Sequence, residues 1–309
     1  MGDGRASMTD AGTELMDGLV LYEHALSEQT QREILAFVEE QLSDGRAGSS
    51  TGKTYSAPPD TWLKTGQGRE MLQYGAYTKC NKVQPTAVPP LPPILEALLD
   101  ALQAAGVIRG AEERPDTCVV NVYAPGSWLP PHVDSEAFDR PFWTASLVSA
   151  QEAVFGEAIA GERGEWQGPL RFRMGVGSVL RVSGEAAGPT CRHALPRATH
   201  ARVSLTFRKL GRATRERFEA IRAASDEAAR ARADRRRQAK LARGRVLRPG
   251  ADRPPPVDVP VGCAGTAGEA GAVEDDALEE FEEVEEEAGG PRPVVAKPKE
   301  VTCVRQGMT

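Results

Sequence analysis

The chain has 309 residues, enough for one sizeable core with appendages or for two small domains. Its formal net charge of −6 argues against a generally basic nucleic-acid binder, although the charge is unevenly spread. No apolar run reaches the roughly 18–20 residues of a membrane span, and the polar N-terminus lacks the basic and apolar regions of a signal peptide.

Five widely spaced cysteines, Cys80, Cys118, Cys191, Cys263 and Cys303, make no CxxC pair. Their odd number suits a reducing compartment better than a disulfide framework. The expectation is an intracellular monomer, nuclear or cytoplasmic, without membrane attachment.

Residues 1–17 are rich in Gly, Ser, Thr and Asp and read as a flexible tail. Leu19 to Tyr22 predicts a short strand. Ser27, or its rival Thr30, is a plausible helix N-cap, and Ile34, Leu35, Val38 and Leu42 recur at helical spacing over 28–42. Residues 43–60 read as a loop, and 61–83 as strand–loop–strand. Pro85 to Pro93 is a semi-extended connector. Leu95, Leu98, Leu99 and Leu102 mark one side of a second helix over 94–107.

From Thr117 strands and turns take over. Residues 118–123, 144–149, 170–174, 178–182 and 202–210 are the strand candidates, punctuated by glycines. Helices first and strands after suggest α+β, with helices flanking a β-rich core. Beyond 210 comes a long helix candidate at 212–243, rich in Ala and Arg, with only Phe218, Ile221 and Leu241 as large apolar residues. An acidic run at 274–287 follows, and the tail reads as disordered.

Only four histidines are present, and His132-Val133-Asp134 is an informative triplet. In extended chain, residues two apart point the same way, so an imidazole and a carboxylate can take adjacent positions on one metal. A third ligand from elsewhere would complete a facial triad that leaves positions open on non-haem Fe(II). The triplet alone is a weak signal, since a surface turn can carry the same residues. Asn121 and Tyr123, again two apart, offer an amide and a phenol that suit the polar ends of a small dicarboxylate.

Downstream, Arg202, Ser204, Thr206 and Arg208 share one strand face, and Val203, Leu205 and Phe207 the other. Two arginines facing a β core are costly unless paired with anions, and 2-oxoglutarate supplies two carboxylates. An edge strand with its polar face in water would show the same alternation.

The order Asn121-x-Tyr123-x-x-Gly126, His132-x-Asp134, His193 and Arg202-x5-Arg208 resembles the AlkB family of Fe(II)/2-oxoglutarate dioxygenases that demethylate nucleic acids. Four stretches most resemble its plant and algal branch of RNA N6-methyladenine demethylases. They are VVNVYAPGSWLPPHVD at 119–134, RPFWTASLVS at 140–149, GSVLRVSG at 177–184, and HALP with RVSLTFRKL across 193–210. Ser204 departs from the family, which often has Asn there.

The resemblance implies a double-stranded β-helix, or jelly-roll, core over 18–210. It implies His132, Asp134 and His193 as iron ligands, with His200 the rival third ligand. Asn121, Tyr123, Arg202 and Arg208 would bind 2-oxoglutarate, Arg202 taking its distal carboxylate. No catalytic residue is expected beyond the metal centre. The cofactors implied are Fe(II), 2-oxoglutarate and O2.

The reaction implied is demethylation of N6-methyladenine in RNA, releasing succinate, CO2 and formaldehyde. The alternatives are an alkylation-repair dioxygenase acting on other N-methyl lesions in DNA or RNA, a protein hydroxylase, and a non-catalytic RNA-binding protein. Single-stranded RNA is the expected partner, DNA the alternative. Residues 60–85 lie where the family carries a nucleotide-recognition lid. Lys64, Arg69, Tyr74, Tyr77, Lys79 and Lys82 are the candidate substrate contacts there, by stacking and phosphate binding. Tyr74 could equally line the co-substrate pocket, and a solvated hairpin could carry the same residues. Residues 211–248 form a basic helix that could follow phosphates, act as a nuclear address, or be a solvated helix; residues 249–309 complete the chain.

Overall fold

A computed structural model describes residues 12–246. The N-terminal 11 residues and the tail from 247, with its acidic run, lie outside the described residues. The elements in chain order are β1 (Thr13–Met16), β2 (Leu19–Tyr22), α1 (Glu28–Arg46), β3 (Tyr55–Ser56), α2 (Asp60–Thr65), β4 (Arg69–Tyr74), β5 (Tyr77–Lys79), β6 (Lys82–Gln84), α3 (Pro93–Ala104), β7 (Thr117–Tyr123) and β8 (Leu129–His132). They continue as β9 (Phe138–Leu147), β10 (Gln151–Gly156), β11 (Leu170–Met174), β12 (Val179–Val182), a 3-10 turn (Gly184–Ala187), β13 (Arg192–Leu195), β14 (Arg202–Leu210) and α4 (Arg212–Val246).

Eight strands form a major sheet in the order β1-β2-β12-β9-β14-β7-β4-β3, and four form a minor sheet, β11-β10-β13-β8. Together they make the two-sheet jelly-roll. Among the described residues no helix is long and apolar enough to cross a membrane.

The major sheet is oily on its helix-covered face, while its other face combines apolar residues with the polar groups of the cavity. Ile34, Val38 and Leu42 of α1 and Leu95, Leu98, Leu99 and Leu102 of α3 pack against Leu72, Val120, Trp143, Leu147, Val203, Leu205 and Phe207 of the sheet. The Ser27 hydroxyl caps α1 by accepting the Thr30 backbone N–H at 3.1 Å. A second cluster, with Leu19, Leu21, Phe142, Leu180 and Val182 against Ala153, Phe155, Met174 and Cys191, joins the two sheets. Cys191 is thus small core filler.

Several expectations are corrected. Residues 13–16 are not loose tail: they pair antiparallel with β2 through a turn at Gly18, where φ is +75° and a side chain would strike the Ser183 carbonyl. Helix α1 runs one turn past Leu42, and Gly45 in that turn leaves room for the Tyr55 ring. Trp62 and Lys64 sit on a short helix, started after Pro59 and stopped by Gly66 at φ +82°, rather than on a strand.

Besides β1 and the two-residue β3, which lies in the stretch read as a loop, three strands escape the sequence patterns. β8 reads Leu-Pro-Pro-His, which argues against a strand, but it lies at the sheet's edge, where proline's missing donor does no harm. β10 and β13 lack clean alternation.

The start of α4 is docked. Phe218 is 3% exposed among Ala76, Val83, Phe138 and Leu210, while Ile221 is 44% exposed and stays outside. Arg215 pairs with Asp116 beside it. The folded unit therefore includes the first turns of α4. Phe218→Ala should destabilise the protein by about 3 kcal/mol in urea unfolding, in the range for buried Phe truncations. An unchanged midpoint would show that α4 does not dock.

Candidate metal centre

The site is built on one rung of the minor sheet. His193 of β13 is register partner both to Phe155 of β10 and to His132, the last residue of β8. Asp134 follows two residues on. One potential ligand atom from each of His132, Asp134 and His193 lies within 4.8 Å of the others. His193 Nε2 is 3.6 Å from Asp134 Oδ2. Phe155 stacks on the His193 ring at 5.2 Å and fixes its plane.

Neighbours set the chemical state of each donor. His132 Nδ1 is 2.9 Å from the Pro130 carbonyl, so an Nδ1–H donates there and Nε2 keeps its lone pair for a metal. Burial pushes the His193 imidazole down to about 3, and nearby His132 adds to this. Burial lowers His132 too. Both rings are therefore neutral, the form that ligates. Burial alone would raise the Asp134 carboxyl, but the charged surroundings, Arg208 foremost, outweigh it and hold the group below its ordinary value. Arg208 Nη2 lies 2.7 Å from Asp134 Oδ1, an ion pair without hydrogen-bond alignment.

Arg140, which sequence reasoning passed over, holds the loop. Its Nη2 donates to the Asp134 carbonyl at 2.9 Å and its Nη1 to the Phe138 carbonyl at 2.7 Å. Asn81 Nδ2 donates to the Val133 carbonyl at 2.7 Å, tying the β5–β6 hairpin to the same loop. Neither residue carries a sequence signal, since each acts through a backbone carbonyl distant or irregular in sequence.

The triad opens into a cavity of about 270 Å³ between the sheets, which Asn121, Tyr123, Arg202 and Arg208 also line. β14 is central, between β9 and β7, so its polar face looks into this cavity and not into water. Arg202 is 1% exposed. Its Nε donates to Ser146 Oγ at 3.3 Å and its guanidinium lies 5.4 Å from the centre of the Tyr123 ring, yet Nη1 and Nη2 have no partner. Burial pushes its pKa below the usual arginine value. A buried cation with two unused donors is the signature of an anion site. Asn121 Oδ1 accepts from Arg69 Nε at 3.0 Å.

The substrate candidates fare unevenly. Arg69 lines the cavity and lies over the Trp62 ring at 5.5 Å. Tyr74 is a correction: strand alternation turns it onto the helix face, 2% exposed, with its hydroxyl 3.3 Å from Gln41. Lys64, Lys79 and Lys82 are exposed and Tyr77 is half-buried, all outside the cavity lining. His200 is exposed, its Nδ1 engaged with Thr199, and is not part of the cluster.

The model of the 2OG-Fe(II) oxygenase superfamily matches residues 18–208. The chain belongs to that superfamily. Over 211 residues it is 32% identical to RNA demethylase ALKBH9B of Arabidopsis thaliana, covering 65% of this chain and 41% of the relative. Over 203 residues it is 28% identical to RNA demethylase ALKBH10B of the same plant, covering 62% and 35%. The matched part thus spans about two fifths or less of these relatives. These likenesses agree with the AlkB resemblance of the sequence motifs. A solved prolyl-4-hydroxylase of Pseudomonas putida aligns at 14% identity and TM-score 0.41, covering 63% of this chain and 93% of that one. The superfamily implies Fe(II) and 2-oxoglutarate. Two neutral imidazoles and one carboxylate suit the first, and the unpartnered Arg202 suits the second.

The low His193 value has a consequence for stability. Its folded pKa lies below the unfolded one, so the unfolded chain takes the proton first. Stability is full above about 6.5. It falls as pH drops from there toward about 3. This group contributes at most about 1.4 kcal/mol per pH unit to that fall. Urea unfolding of metal-free protein should show the decline between pH 7 and 5, with a shallower slope in His193→Asn. Equal slopes would mean that His193 is not held neutral.

Proposed function

We propose that this chain is an Fe(II)/2-oxoglutarate-dependent dioxygenase that demethylates N-methylated nucleobases, with N6-methyladenine in RNA as substrate. The observation that carries the enzyme class is the His132–Asp134–His193 cluster facing a buried, unpartnered Arg202 across one cavity. The names of the two Arabidopsis relatives support RNA as substrate.

In this reading His132, Asp134 and His193 hold Fe(II), and Arg202 takes the distal carboxylate of 2-oxoglutarate. Tyr123 and Asn121 line the path between. Arg208 keeps Asp134 charged and is the second positive group for the co-substrate. When bound, metal and co-substrate supply the oxidising chemistry: O2 and 2-oxoglutarate are consumed, succinate and CO2 leave, and the methyl carbon departs as formaldehyde. The chain's part is to position the methyl group and exclude water.

The test is incubation with N6-methyladenine RNA, other N-methylated RNA and DNA, and peptides, followed by mass spectrometry. Loss of methyl from N6-methyladenine RNA with matching succinate is expected. Product only from other lesions, or only from peptides, would replace the substrate assignment. His193→Ala should abolish succinate production and His200→Ala should not. Arg202→Ala should raise the 2-oxoglutarate requirement by roughly 30-fold or more, as when a buried carboxylate loses its partner.

RNA backbone binding falls to α4 in the same reading. Arg230, Arg232, Arg235, Arg236 and Arg237 are all exposed along it. A chain ending at Ala224 keeps the Phe218 anchor and lacks these charges. It should bind single-stranded RNA with a shallower salt dependence, by about 0.7 in slope for each phosphate no longer neutralised. Identical slopes would mean that α4 does not touch RNA.

A further inference from the structure

One wall of the cavity holds polar atoms that neither the triad nor the co-substrate groups use. Gln73 of β4 is 1% exposed and lines the cavity, as does Thr78 of β5. Gln73 Oε1 accepts the Thr78 backbone N–H at 2.8 Å. That bond fixes which end of the amide is which, so the group left over is Nε2, a donor. Gln73 Nε2 and Thr78 Oγ1 are both buried and without a partner. Folds rarely keep such atoms unsatisfied unless a ligand or water completes them.

Strand register says which end of the cavity they serve. Gln73 is level with Val119 of β7, and Val119 with Thr206 of β14, one alternation step from Arg208. Arg69, Tyr123 and Arg202 form the rung at the other end. Gln73 lies four positions on from Arg69, roughly 13 Å of strand. The hairpin that carries Thr78 is tied by Asn81 to Val133, between two members of the triad. The pair therefore stands toward the Arg208 end of the cavity, where Arg208 pairs with Asp134, and away from Arg202.

We propose that Gln73, with Thr78, is the specificity-determining subsite, its Nε2 donating to an unmethylated ring nitrogen of the substrate base. This rests on the nucleobase-demethylase reading above. The chemistry discriminates between isomers. N6-methyladenine is neutral and keeps its ring nitrogens as acceptors, N1 beside the methylated amine. 1-Methyladenine has its methyl on that nitrogen and is cationic. An amide donor suits the first and opposes the second. A site built around a hydrogen bond rejects partners that cannot complete it far more strongly than an apolar pocket does.

Gln73→Glu is the sharp variant. It keeps an oxygen for the Thr78 N–H, removes the donor and adds an acceptor for a cationic base. Gln73→Met and Thr78→Val remove polar atoms without adding charge. The probes are two RNA oligonucleotides of one sequence, carrying either N6-methyladenine or 1-methyladenine. The readouts are kcat/KM for each and 2-oxoglutarate affinity of the manganese(II)-loaded protein. Gln73→Met should lower kcat/KM on N6-methyladenine about tenfold or more, the scale of one missing hydrogen bond, with 2-oxoglutarate affinity within about twofold. Gln73→Glu should shift the ratio toward 1-methyladenine. Should a Gln73 variant fail to fold, the other variants carry the same test. An unchanged isomer ratio in every folded variant, with the wild type active, overturns the subsite and leaves the enzyme reading standing. A collapse of 2-oxoglutarate affinity also overturns it, by moving Gln73 to the co-substrate. A wild type active on neither RNA removes the parent reading and the subsite with it.

Discussion

Strand β14 lies between β9 and β7, and its two-residue alternation divides the molecule. Val203, Leu205 and Phe207 go to the core under α1 and α3. Arg202, Ser204, Thr206 and Arg208 go to the cavity. Because both neighbours are paired in register, a slip of one residue would bury the arginines in the oily layer and turn the apolar residues into the cavity. The two-sided burial of this strand is thus what makes an internal polar chamber possible. The site inherits its geometry from the same register, since Tyr123 stands opposite Arg202 and Asn121 opposite Ser204.

The chamber is electrostatically incomplete. Arg69, Arg202 and Arg208 line it, against Asp134 as its carboxylate. Both histidines of the cluster are held neutral by burial. Arg208 is engaged by Asp134, and Arg69 by Asn121. Among the described residues Arg202 alone has both terminal nitrogens buried and without a partner. The dicarboxylate proposed above, with one end on Arg202, would satisfy this imbalance, and the arrangement is costly without an anion. The Gln73 and Thr78 atoms extend the same logic to neutral polar groups on the cavity wall toward Arg208.

Support for the site comes from pieces far apart in the chain. Arg140 and Asn81 grip the triad loop through its carbonyls from opposite sides in sequence. Phe218 of α4 packs with Phe138, whose ring lies 5.0 Å from the Arg208 guanidinium. The helix that carries the exposed arginines is therefore linked to Asp134 through two side chains, Phe138 and Arg208.

What the sequence determined by itself is what has a short repeat or a tight spacing. The apolar periodicity of α1 and α3, the alternation of β14, and the pair His132 and Asp134 were legible because neighbours in sequence share one face. The cofactor class followed from motifs in a fixed order. Only the tertiary structure shows that His193, and not His200, clusters with His132 and Asp134, since strand pairing puts His193 across from His132. It also decided that Tyr74 is core and Gln73 is cavity. Adjacent residues of one strand point to opposite sides, and which side faces the chamber depends on the helices packed against the other. The strand nature of Leu-Pro-Pro-His at β8 and the grips of Arg140 and Asn81 were hidden for a related reason. They depend on sheet edges and backbone carbonyls, which leave no pattern in the identity of the residues.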